Sequence, residues 1–256
     1  MVTPQLERLK IRRVSQLIAA ELRAMILHGQ FNGLDRLPPE RSVAEEFGVS
    51  KHHFREALRL LEQDGLVQVR SGRNGGVFVT TPAVEVLTRT FSGMLAARGT
   101  KLSDLMEARQ IIEPAAAVLA CSVATESEIA ELMDIVGRQE EQSDYDIHLN
   151  TRFHVALCAA GHNETLLFMM RSIESIIQSI DIDARQHSDG PSLSLESARA
   201  HRAIVRSLQQ RDAARVSHYV KVHLLGWGER LRQTGLDPET YSVADVLHAA
   251  EGSLTR

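Results

Sequence analysis

The sequence predicts a mostly α protein: a small head of three helices and a β-hairpin, then an all-α antiparallel bundle of six or seven helices. Three observations carry that expectation. Apolar residues recur at steps of three and four through most of the 256 residues, the spacing of one helix stripe. Aromatics make up 4% against an apolar fraction of 43%, which suits helix cores of Leu, Ala and Ile better than a β-sandwich. The helical period is replaced by alternation only around residues 66–80.

The head reads in order. Ile11, Val14, Leu17, Ile18, Leu22, Met25 and Ile26 form one stripe of a helix ending at His28, and Gly29 suits its C-cap. Gly33 and the pair Pro38-Pro39 keep the next residues irregular. Pro39 then suits the first turn of a short helix running to about Phe47, where its missing N–H costs nothing. Gly48 fits a tight turn, and Ser50 is a good N-cap for a third helix from Lys51 to about Asp64. Leu66–Arg70 and Val77–Thr80 flank a Gly- and Asn-rich turn, the pattern of a hairpin.

Beyond Pro82 the helical period returns over 83–98, 102–122, 126–143, 146–161, 163–187, 193–210 and 212–233. Thr125-Glu126-Ser127-Glu128 has the form of a capping box. Short connections favour antiparallel neighbours and hence a bundle. The expected organisation is a head of helices and hairpin over 10–80, an all-helical bundle over 83–234 and a loosely ordered tail over 235–256.

Composition excludes several classes. No apolar run approaches the roughly 20 residues that span a bilayer; Ala115–Cys121, among the longest, has seven. The first residues lack the apolar stretch of a secretory signal. Two cysteines, Cys121 and Cys158, make neither a disulfide framework nor a cysteine-rich zinc module. A cytoplasmic protein without membrane association is expected. The formal charge of −4 is uneven: residues 1–80 balance to +3 and the remainder to −7, so a polyanion would meet the head.

Arg41 to Gly65 contains the parts of a helix–turn–helix, in which the second helix enters the major groove. That helix offers Lys51, His52, His53, Arg55 and Arg59 near its N-terminal half. Arg can bond guanine through two N–H groups, and Lys can donate to guanine or phosphate. Ser50 and the amides beside it can hold a phosphate. Arg70 and Arg73 sit by the glycine-rich turn, suited to phosphates or a minor groove.

In the bundle, Asn150 and His154 lie four apart on one helix face, as do Arg109 and Glu113. His201 and His223 lie on two later helices. Side chains from facing helices can converge on a metal in a bundle core, and imidazole suits Zn, Ni, Cu or Fe. A histidine taken singly is more often a surface or satisfied core residue. His28, His148, His162, His187, His218 and His248 are assigned that role.

These residues carry a resemblance. Leu37-Pro38-Pro39-Glu40-Arg41, Phe47-Gly48-Val49-Ser50, Arg55-Glu56-Ala57-Leu58, Leu61-Glu62 and Gly65-Leu66-Val67 before a Gly-rich hairpin resemble the winged helix–turn–helix of GntR-type bacterial transcription regulators. By that resemblance Arg41, Lys51, Arg55 and Gly72 correspond to operator-contacting positions, with His52 and His53 nearby. Lys51 stands where the family usually has Arg, keeping the charge but losing the planar fork. Residues 85–232 are similar to the FadR C-terminal (FCD) domain: Arg109 to Glu113, Asn150 to His154, Ala160-Gly161-His162-Asn163, His201-Arg202-Ala203-Ile204, and Lys221-Val222-His223-Leu224. The resemblance implies a FadR-subfamily regulator. Its metal ligands would be Asn150, His154, His201 and His223, binding zinc or nickel beside a pocket for small carboxylic acids. Arg109 would reach the acid or orient the pocket. Asn150 replaces a common Asp, a neutral and weaker donor.

The function implied is a metabolite-responsive regulator, most often a repressor, acting as a homodimer on palindromic operator DNA. It is not expected to be an enzyme: there is no His-Glu-x-x-His, no Gly-x-Ser-x-Gly and no phosphate-binding glycine loop. The alternatives are a metal-dependent hydrolytic enzyme and an effector-independent architectural DNA binder.

Overall fold

In the computed structural model, the described residues are 3–31, 35–72, 75–80, 84–142, 146–184, 190–233 and 235–253. The chain forms two compact units, Met1–Leu87 and Thr88–Arg256.

In the first unit, α1 (Thr3–Leu27), α2 (Glu40–Glu46) and α3 (Lys51–Gln63) precede β1 (Val67–Arg70) and β2 (Gly76–Val79). The strands pair antiparallel, with Val67 opposite Val79 and Arg70 opposite Gly76. One core joins Ile18, Leu22 and Ile26 of α1 to Phe54, Leu58 and Leu61 of α3 and to Val67, Val77 and Val79 of the hairpin. Gly48 has φ +63 between α2 and α3, a left-handed conformation that a side chain would strain. Ser50 caps α3 by accepting the His53 N–H at 3.3 Å.

The second unit is helical: α4 (Val84–Ala97), which begins in the first unit, α5 (Leu102–Val123), α6 (Glu126–Glu141), α7 (Ile147–Ala159), α8 (Glu164–Ala184), α9 (Gly190–Gln209), α10 (Ala213–Gln233) and α11 (Val243–Ser253). α5 packs against α7, α8 and α10, while α6 packs on α9 and α7. The core fills with Ala117, Ala120, Leu132, Ile135, Phe153, Leu157, Ile204 and Val220 among others. The capping box at Thr125 and Glu128 forms as the sequence indicates. Gly161 seats the end of α7 against α5: a Cβ there would lie 2.7 Å from the Ala116 carbonyl oxygen.

The segment expected to be a loose tail is instead partly ordered. Ser242 and Asp245 cap α11 reciprocally, and Val243 and Val246 are buried in the core that holds Leu102, Leu105 and Ile177. Backbone bonds from Leu102 to the Tyr241 carbonyl and from Val243 to the Thr100 carbonyl anchor it to the start of α5.

Candidate functional site

In the head, α3 buries Phe54, Ala57, Leu58 and Leu61, which turns Lys51, His52, Arg55 and Arg59 outward. His53 is half-buried and Ser50 is exposed at the cap. Arg55 Nε donates to Glu40 Oε2 at 2.8 Å, linking α3 to the start of α2. Arg41 Nε donates to Glu45 Oε1 at 2.8 Å. Exposed pairs of this kind are worth only about 0–1 kcal/mol, so a phosphate or a guanine edge competes readily for either guanidinium. Gly72, at φ +102, follows β1 on the hairpin. Arg70 lies 4.6 Å over the Phe78 ring. Arg73 lies outside the described residues.

In the bundle, Asp146 caps α7 by accepting the N–H groups of His148 and Leu149. Asn150 and His154, one turn apart, lie on the inward side of α7 with Phe153 and Leu157, both buried. His201 on α9 and His223 on α10 are buried as well. The three imidazoles converge: His201 Nε2 and His223 Nε2 are 3.1 Å apart, and His223 Nε2 and His154 Nε2 are 3.4 Å apart. Phe153 stacks flat on His201, with ring centroids 3.8 Å apart.

Outer partners determine which nitrogen faces in. His154 Nδ1 bonds Glu113 Oε1 in a short contact. His201 Nδ1 donates to Gln139 Oε1 at 2.8 Å. With both Nδ1 protons directed outward, the Nε2 lone pairs of His154 and His201 meet at His223. His223 Nε2 can meet them either as an N–H donor or, with its proton on Nδ1, as a third lone pair turned toward a cation. Tetrahedral Zn–N bonds of about 2.0–2.1 Å place ligand nitrogens about 3.3 Å apart, so the spacing and the donor set fit a divalent metal. Asn150 sits one turn before His154 and its Oδ1 accepts the Ser197 hydroxyl at 3.0 Å. A carbonyl oxygen has a second lone pair to offer.

A buried charge cluster backs the imidazoles. Arg109 Nε donates to Glu113 Oε2 at 3.1 Å, and its Nη2 lies 3.0 Å from Glu174 Oε1. Burial pushes the Glu113 carboxyl up, but His154 and Arg109 together outweigh it and hold the pKa at about 2. For Glu174, burial wins over Arg109 and the pKa is raised. The guanidinium expected to meet an effector carboxylate is thus occupied by two carboxylates of the protein, beneath Trp227.

Residues 14–79 match the family described as bacterial regulatory proteins, gntR family, and residues 104–226 match the FCD domain. The chain belongs to the GntR family. Like its relatives, this GntR-family protein is a transcription regulator, not an enzyme. It is 28% identical, over 83% of this chain and 84% of the other, to an Escherichia coli (strain K12) protein provisionally described as an L-lactate dehydrogenase operon regulatory protein. It is 29% identical to the Uxu operon regulator of Haemophilus influenzae (strain ATCC 51907 / DSM 11121 / KW20 / Rd), over 83% of this chain and 78% of the other. The fold is also that of a solved structure, Streptococcus agalactiae GntR, at a TM-score of 0.59 and 22% identity, covering 83% of this chain and 98% of that one.

Two members of the cluster in this GntR-family protein escape notice in the sequence. Gln139 continues the apolar stripe of Leu132, Ile135 and Val136, where an amide stands out. Glu174 interrupts the run of Met170, Ile173 and Ile177 on α8. A polar residue at a position the helical period assigns to the core is the signal that finds both.

Proposed function

We propose that this GntR-family regulator senses a small carboxylic acid in its helical bundle, with a divalent metal, zinc or nickel as the FCD resemblance implies, held by His154, His201, His223 and Asn150. One observation carries the reading: three buried imidazole Nε2 atoms face one another in a bundle that shares its chain with a winged helix–turn–helix. Bound there, a divalent cation would supply a Lewis-acidic position for the carboxylate of the acid.

The protein's own residues do the rest. Glu113 and Gln139 hold the His154 and His201 rings in one tautomer. Arg109, between Glu113 and Glu174, orients that carboxylate wall. A 2-hydroxy acid, offering hydroxyl and carboxylate oxygens together, suits such a site, and L-lactate, named in the description of one relative, is the first candidate.

In the head, Arg41, Ser50, Lys51, His52, His53, Arg55, Gly72 and Arg73 form the operator surface. A cytoplasmic homodimer reads two palindromic half-sites about 34–36 Å apart. As a repressor it loses operator affinity when the acid binds, and by linkage DNA lowers the affinity for the acid equally.

Elemental analysis joined to a thermal-shift screen of organic acids tests this. Wild type should carry about one metal per chain and be stabilised by L-lactate or a related acid, and His201→Ala should lose both. A full metal equivalent in His201→Ala would remove the ligand assignment. No metal and no acid response in wild type would remove the sensing function.

A further inference from the structure

Two buried polar side chains beside the imidazole centre hold hydrogen-bonding capacity that the fold does not use. Glu174 of α8 and Thr151 of α7 are both fully buried. Among the described residues, neither oxygen of Glu174 nor the Thr151 hydroxyl has a hydrogen-bond partner. Arg109 Nη2 lies 3.0 Å from Glu174 Oε1 as an ion pair but is not aligned to bond it. Thr151 is near enough to favour the charged carboxyl, again without bonding geometry. Buried polar atoms are nearly always paired, so three at one spot call for a hydrogen-bonding group from outside the chain.

Helix spacing sets the pair against the site. Thr151 precedes His154 by three residues on α7, which brings their Cβ atoms to about 5–6 Å. α8 packs along α7, and the charges that act on Glu174 are those of Arg109, His154 and Glu113. Glu174 and Thr151 therefore flank His154 on its α8 side. The chemistry of the pair selects its partner. A carboxylate only accepts, a protonated carboxyl also donates, and a hydroxyl does both. Burial pushes Glu174 toward its neutral form, and an alcohol hydroxyl can bond either form while also pairing with Thr151. An ammonium would suit the anion alone, and a second carboxylate the neutral acid alone.

We infer that Glu174 and Thr151 form a hydroxyl-reading subsite, so that the preferred effector is a carboxylic acid carrying a hydroxyl farther along its chain than the one beside the carboxylate. The carboxylate and its neighbouring hydroxyl are taken up at the imidazoles, and the subsite lies to one side of them, where a later carbon arrives. It rests on the proposed acid-sensing function and narrows the class of acid from 2-hydroxy acids to polyhydroxy acids.

Isothermal titration calorimetry on the full-length protein with zinc supplied tests this with two acids of equal chain length. Erythronate is hydroxylated on every carbon beyond its carboxylate, and 2-hydroxybutanoate only on the first. Wild type should bind erythronate at least about tenfold more tightly, the scale of a buried hydrogen bond. Thr151→Val and Glu174→Leu should each bring the two acids to within about threefold. Thr151→Val should also keep or raise the melting point, because it removes an unpaired hydroxyl. Erythronate bound no more tightly than 2-hydroxybutanoate by wild type, or a preference that survives in either variant, would overturn the subsite alone. A Thr151→Val protein melting more than about 4 °C below wild type would show that its hydroxyl is bonded within the fold and would overturn it too. Binding of neither acid nor of L-lactate would overturn the acid-sensing function and the subsite with it.

Discussion

Replacing Glu113 by Gln removes one buried charge while keeping the side chain's shape. In the wild type that carboxylate bonds His154 Nδ1 with one oxygen and Arg109 Nε with the other. After the change, His154 can still donate to an amide oxygen, but Arg109 keeps only Glu174 as a carboxylate partner, at 3.0 Å. Removing one member of a buried ion pair costs about 3–5 kcal/mol. The remaining Glu174 puts the cost at the low end, about 3 kcal/mol. For a unit the size of Thr88–Arg256 each kcal/mol lowers Tm by about 2–4 °C, so metal-free Glu113→Gln should melt about 6–12 °C below metal-free wild type. Loss of the anion behind a ligand histidine should also weaken metal binding about 10–100-fold. Scanning calorimetry of metal-free protein and a chelator competition at neutral pH measure the two effects. A melting point within about 1 °C of wild type and an affinity within about twofold would refute the role assigned to Glu113.

Arg55→Ala should weaken operator binding by about 1–3 kcal/mol or more, with metal content and melting point unchanged, because its partner Glu40 is a surface pair; fluorescence anisotropy with duplex DNA reads this. Gly161→Ala should destabilise the bundle by about 1–3 kcal/mol in urea melts, since its methyl meets the Ala116 carbonyl; an unchanged midpoint would show that α7 can draw back from α5 without loss. Glu128 is held down to about 2 by the Thr125 amide and by His162. Because that value lies below the ordinary 4.5, its stabilisation is complete above pH 4.5 and is lost as pH falls toward 2. Glu128→Gln should therefore be less stable than wild type by about 1 kcal/mol at pH 6, and the gap should close as urea melts are taken below pH 4.5.

The architecture was legible because its signals are local. Period-three-and-four stripes marked the helices from residue 83 onward, and Gly48 with Ser50 marked the turn and cap of the reading helix. α11 was missed because it is short and its stripe, Val243, Val246 and Leu247, follows a break at Gly235 and Pro238. Its capping pair, Ser242 and Asp245, was the available sign. In the candidate site, spacing on one helix pairs Asn150 with His154 and Arg109 with Glu113. No spacing tells that Glu113 of α5 bonds His154 of α7, or that Gln139 of α6 meets His201 of α9. Those contacts come from how helices pack, and so does the second carboxylate on Arg109.

The most direct measurement is the affinity of wild type and His201→Ala for a duplex selected from random DNA, by anisotropy, with metal present and with or without a responsive 2-hydroxy acid such as L-lactate. Control of DNA binding from the imidazole centre predicts a change of about 5–150-fold with the acid in wild type, and the same acid-free affinity but no response in His201→Ala. Equal acid responses in the two proteins, or none in wild type, would contradict it.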